Sequence, residues 1–146
     1  MPLTARLAAA ILLTVAPLGP AAASCSVEAN PVAFGTIDVL RQERGTGEIV
    51  VRCDEPTEFR VGLSPGGGGS EGRRMAGPDG ARLDYSLFAD AGYSIPWGDG
   101  QAIGNSRTGV SDGEGPQRLT VYGIIPAQPG AIPGEYTDSL QVTLSF

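Results

Sequence analysis

Apolar and polar positions alternate with a period of two along much of the chain, the pattern of strands with one buried face and one wet face. In residues 48–53 (EIVVRC), Ile49, Val51 and Cys53 share a face. In 58–64 (EFRVGLS), Phe59, Val61 and Leu63 point one way and Glu58, Arg60 and Ser64 the other. Residues 81–88 (ARLDYSLF) group Leu83, Tyr85 and Leu87, and 117–125 (QRLTVYGII) turn Leu119 and Val121 inward. Near the start, 24–35 (SCSVEANPVAFG) keeps Cys25, Val27 and Ala29 in phase until Pro31 interrupts, which suits a broken edge strand. The final stretch, 134–146 (GEYTDSLQVTLSF), sets Tyr136, Leu140, Val142, Leu144 and Phe146 against Thr137, Ser139, Gln141, Thr143 and Ser145. The sequence stops on this apolar strand, so the expectation is an open edge that invites a strand from elsewhere.

The intervening segments are rich in turn formers. Residues 65–72 (PGGGGSEG) read as a flexible loop; no Gly-Lys-Ser/Thr and no helix follow, so it is not a phosphate cradle. Gly77-Pro78-Asp79-Gly80 is a tight turn, 89–116 is mostly loop, and 126–133 (PAQPGAIP) is a proline-rich connection. Arg73 and Arg74 are expected to be solvated at a strand start. About six or seven short strands without a helix predict an all-β chain, a β-sandwich in one domain.

The first residues change the picture. Arg6, the apolar run of residues 7–15 and the small residues Ala21-Ala22-Ala23 have the form of a secretory signal peptide, residues 1–23, with the domain at 24–146. The run is too short to span a bilayer. Export sets the expectation for the two cysteines, Cys25 and Cys53: in an oxidising compartment they pair. A competing reading makes Cys25 the acylated cysteine of a lipoprotein, but Ala22 stands where a leucine is usual, and Cys53 would be left alone.

All ten cations are arginines against sixteen acidic residues, and the net charge of −6 becomes −7 when Arg6 leaves. That balance argues against nucleic acid and anionic lipid as partners. The chain has no histidine, which removes Ser-His-Asp and Cys-His nucleophile systems and most zinc sites. Acid–base chemistry by carboxylates would fall to Asp84, Asp90, Asp99 and Asp112, for which turn capping is the simpler account. Ser111-Asp112-Gly113-Glu114 is too short for a calcium loop. Trp97, amid glycines, is expected to pack on the sandwich rather than serve as an exposed binding aromatic. No catalytic, cofactor or metal residue is expected.

Several stretches in order resemble the spore coat protein U domain, the fold of subunits in archaic chaperone–usher pili. They are Cys25, Phe34-Gly35, the strand ending in Cys53, Arg74-Met75, Leu83 to Phe88 and Trp97-Gly98-Asp99-Gly100. Val121 to Gln128 and Gly134-Glu135-Tyr136-Thr137-Asp138 complete the set. The resemblance implies an immunoglobulin-like β-sandwich that lacks its final strand. It also implies three kinds of partner: a periplasmic chaperone that lends a strand, an outer-membrane usher, and other pilus or coat subunits that replace the strand with an N-terminal extension. The acceptor edge would be carried by Tyr136, Leu140, Val142, Leu144 and Phe146.

One departure bears on position. Cleavage after Ala23 leaves only Ser24 ahead of Cys25, too little for a donor strand. The expectation is therefore a terminal or tip-like subunit, in the periplasm during assembly and then at the surface or outside the cell. The alternative is a self-complete secreted adhesive domain that uses loops 65–72 and 89–116.

Overall fold

A computed structural model describes residues 22–146; the expected export signal falls largely outside them. Among the described residues, eight strands form two sheets. They are β1 (Cys25–Ala33), β2 (Glu43–Cys53), β3 (Thr57–Leu63), β4 (Arg73–Ala76), β5 (Arg82–Phe88), β6 (Arg107–Ser111), β7 (Gln117–Ile125) and β8 (Val142–Ser145). One sheet runs β1-β2-β7-β5-β4 and the other β6-β3-β8, with antiparallel pairing throughout. Two short 3-10 turns, Gly66–Glu71 and Pro78–Gly80, replace the expected loop and tight turn. The architecture is an immunoglobulin-like β-sandwich.

Alternation decides which side chains meet between the sheets. Ile49, Val51 and Cys53 of β2, Leu119, Val121 and Ile125 of β7, and Leu83, Tyr85 and Leu87 of β5 face Phe59, Val61 and Leu63 of β3. Cys25 and Cys53 stand opposite each other in the β1–β2 register and are joined by a disulfide. The ladder continues one step further, because Asp54 N–H donates to Ser24 C=O at 3.0 Å and Ser24 N–H to Asp54 Oδ1 at 2.7 Å.

Four expectations need correction. β6 lies inside the stretch read as loop; Gly109 carries no side chain because the Phe59 ring lies over it, so no alternation marks the strand. β2 begins at Glu43, five residues before the alternation becomes visible, because its inward positions there are Gly45 and Gly47. The terminal strand is shorter than residues 134–146. Thr137 bridges Ala76 at the β4 edge, and only Val142–Ser145 pairs with β3, so the segment passes from one sheet to the other between them.

The fourth concerns Arg73, which is 4% exposed rather than solvated. Its guanidinium donates to the carbonyls of Ser64 (2.5 Å), Trp97 (2.9 Å) and, more weakly, Leu63 (3.4 Å). A guanidinium offers five donors in a fixed fork, enough to serve all three carbonyls at once. Burial pulls the Arg73 pKa down, and the nearby Tyr85 and Asp138 oppose that shift. Trp97 packs in the core, as expected: it is 1% exposed, and its indole N–H donates to Val61 C=O at 3.0 Å.

Candidate functional site

The sandwich is closed along most of its length and open along one side. The edge strands β1 and β8 touch each other. Beyond that contact the chain on either side diverges and bounds a groove of about 1090 Å3. One wall comes from residues 29–37 and 39, the other from 131–138, 140 and 142. The floor reaches the core at Ile49, Leu63, Met75, Leu83, Val121 and Ile125. Its volume lies just above the range for small-ligand pockets, about 300–1,000 Å3; the end of β1 with the turn beyond it forms one rim, and the irregular segment leading into β8 forms the other.

The first wall follows from local sequence. Pro31 has no N–H to give to the ladder, and the β1–β2 register shifts between Asn30 and Ala33. The shift carries Val32 and Phe34 across the inner face, over the bare backbone of Gly45, Gly47 and Gly123. A Cβ at Gly47 would lie 2.8 Å from Val32 Cγ2, and one at Gly123 2.6 Å from Phe34 Cζ. Ala29 shares the inward phase of Cys25 and Val27, yet it is exposed where they are half-buried. Nothing among the described residues covers it.

Hydrogen bonds to the rest of the sandwich seat the second wall. Thr137 and Ala76 exchange backbone bonds at 2.8 and 3.0 Å. Ser64 N–H donates to Gln141 C=O at 2.9 Å, and Gln141 N–H to Ser64 Oγ at 2.8 Å. Asp138 accepts from Gly67 N–H (2.9 Å) and Ser139 N–H (2.9 Å) at Oδ1, and from the Tyr85 hydroxyl (2.5 Å) at Oδ2. Burial, and then the bond to Asp138, raise the Tyr85 pKa well above its ordinary value, so the phenol stays a donor. The Tyr136 ring lies over Gly77, and its hydroxyl donates to Ile132 C=O at 2.5 Å. The glycine run is thus a seat for the terminal segment rather than a free loop.

Of the residues expected at the acceptor edge, Tyr136, Leu140 and Val142 line the groove. Leu144 does not line it but packs half-buried against the core. Phe146, expected inward, is 59% exposed. Sequence reasoning missed Val32, Phe34 and Asp138 as groove residues. A signal for Asp138 was present: it occupies an inward position between Tyr136 and Leu140, where alternation calls for an apolar side chain.

The loop aspartates are not gathered into a site. Asp90 accepts from the Ser94 hydroxyl and from the N–H groups of Ser94 and Ile95. Asp99 accepts from Gln101 and Ile103, and Asp112 from Glu114 and Gly115. Asp84 Oδ1 pairs with Arg74 Nε at 3.2 Å, beside a second, smaller cavity of about 310 Å3. Among the described residues, no three His, Cys, Asp or Glu side chains are grouped as metal ligands would be.

These turns make stability depend on acid. The Ser94 hydroxyl, foremost, holds Asp90 below the usual carboxylate range, and backbone N–H donors do the same for Asp99 and Asp112. A carboxyl with a depressed folded pKa stabilises the fold above its unfolded value, and that contribution is lost as pH falls through the folded value. The thermal midpoint should hold from neutrality to about pH 4 and fall below it. Replacing all three aspartates with asparagine should flatten the acid limb in a melting series followed by circular dichroism. An unaltered pH slope in that variant would reject these ties.

Residues 11–143 match the family model described as Spore Coat Protein U domain. No curated protein matches the chain. Among solved structures, it is similar to a chain in the crystal structure of the CsuC–CsuE chaperone–tip adhesion subunit pre-assembly complex. That complex comes from the archaic chaperone–usher Csu pili of Acinetobacter baumannii. The TM-score is 0.64 at 21% identity, a likeness of fold. It covers 86% of this chain and 40% of that one, so this chain spans less than half the length of its structural neighbour.

Proposed function

The chain belongs to the Spore Coat Protein U domain family, and on that premise we propose that it is a non-catalytic subunit of a surface fibre or coat, whose groove takes a β-strand from another molecule. The observation that carries the reading is the groove itself. It is an apolar opening between the end of edge strand β1 and the segment that leads into edge strand β8, with inward-phase Ala29 exposed on one wall and Leu140 and Val142 only half-buried on the other. Adding a strand gives each rim backbone partners and covers alternate side chains. The occupants are an extended apolar segment of a periplasmic chaperone and then, at an outer-membrane usher, the N-terminal extension of a neighbouring subunit. Export by the predicted signal precedes both steps. The expected cleavage after Ala23 supports a position at a fibre end, where a subunit accepts a strand.

The test is expression of the mature chain in the periplasm, alone and with a chaperone encoded beside it. Alone it should be degraded or aggregate; with the chaperone it should purify as a one-to-one complex. A monodisperse chain that is stable alone and ignores the chaperone overturns the reading. The adhesive alternative uses loops 65–72 and 89–116, and the first of them also bonds the terminal segment through Gly67 and Asp138.

A further inference from the structure

We propose that Asp138 is the positioning residue of the groove, tying the terminal wall back to the sandwich so that the groove stays open. The inference rests on the strand-acceptor reading. A strand inserted between two edges needs them roughly 9–10 Å apart, twice the spacing of neighbouring strands. An apolar wall beside an apolar floor gains by closing over it. Tyr136, Leu140 and Val142 form such a wall. A counter-force must hold the wall back.

Asp138 is placed to supply that force. It is the charged member of an otherwise apolar inward stripe, and its carboxylate joins separate pieces of the chain. Oδ1 takes Gly67 N–H from the glycine turn, and Oδ2 takes the Tyr85 hydroxyl from β5. The approach depends on Gly66, where a Cβ would collide with Asp138 Oδ2 and lie 2.6 Å from Leu140 Cδ2. Gly66 also has φ of 76°, a left-handed conformation that favours glycine. Neither partner belongs to the terminal segment, so the tie sets where that segment stands relative to β5 and the glycine turn. Both bonds are charge-assisted, which strengthens them; the one from Tyr85 is part-buried and the one from Gly67 exposed.

The test compares two readouts across Asp138→Ala, Asp138→Asn and Tyr85→Phe. The first is the rate at which a fluorescent peptide of alternating valine and threonine enters the open chain. The second is the thermal midpoint of a fusion that carries the same peptide at its C-terminus, with the groove already filled. Asp138→Ala should slow uptake by about tenfold or more, the scale of one charged hydrogen bond. Tyr85→Phe should slow it less, and Asp138→Asn, which keeps an acceptor for Gly67, should recover most of the rate. The fusion's midpoint should move little in all three. Unchanged uptake in Asp138→Ala overturns the positioning role, and so does a fusion destabilised in step with the loss of uptake. A wild-type chain that takes up no peptide defeats the acceptor reading itself, a result distinct from either.

Discussion

Fusing a strand of alternating apolar residues to the C-terminus through a flexible linker should raise the thermal midpoint of the mature chain by roughly 10 °C or more. Filling the groove buries about four apolar side chains, a gross gain of about 6–12 kcal/mol at about 1.5–3 kcal/mol each. That is an upper figure, because the unfolded chain already hides part of its apolar surface. Ordering the added strand costs about 1–2 kcal/mol per residue for the backbone, offset by new ladder bonds on both rims. A net gain of about 3 kcal/mol shifts the midpoint by about 3–4 °C per kcal/mol in a domain of this size. Calorimetry of the fused and unfused chains measures the shift. A control fusion with serine at the inward positions should lose it, since only the backbone bonds remain. Equal midpoints for all three proteins would mean that the groove needs no occupant.

Replacing Cys53 with serine should cost about 3–4 kcal/mol, read as a lower urea midpoint, with reduction of the wild type giving a comparable loss. The bridge closes a separation of 28 residues, which sets the entropic share. Its position adds a local effect. β1 is an edge strand whose ladder runs to β2 alone, and Pro31 has already weakened its far end. Without the bridge, β1 is free to fray from the end that the disulfide fixes, and the wall of residues 29–39 loses its anchor. The variant should therefore take up donor peptide poorly even at temperatures where the core is still folded. Uptake at the wild-type rate would show that β1 is positioned by pairing alone.

Both effects depend on features that were unevenly legible in the sequence. The strands at 48–53, 58–64, 81–88 and 117–125 were readable because nearly every inward position, Gly123 excepted, carries its own apolar side chain, so phase and burial agree. The disulfide was readable because export and a cysteine count of two leave little else. The start of β2 was hidden because Gly45 and Gly47 borrow their covering from Val32 and Phe34, which sit on another strand and the turn beyond it. β6 was hidden for the same reason, with Phe59 covering Gly109. Arg73 looked like a surface cation because its partners are backbone carbonyls, and these leave no mark in a sequence. Of the groove, one wall was visible as the terminal stripe. The opposite wall, and the tie at Asp138, depend on contacts between residues far apart in the chain.

The rims of the groove offer main chain where most binding sites offer chemistry. Such an opening screens a newcomer for straightness and for greasy positions at every second place, and is almost blind to which greasy residues they are. Different molecules can then occupy it in turn without sharing a motif. An occupant that fits better can then displace one that fits less well.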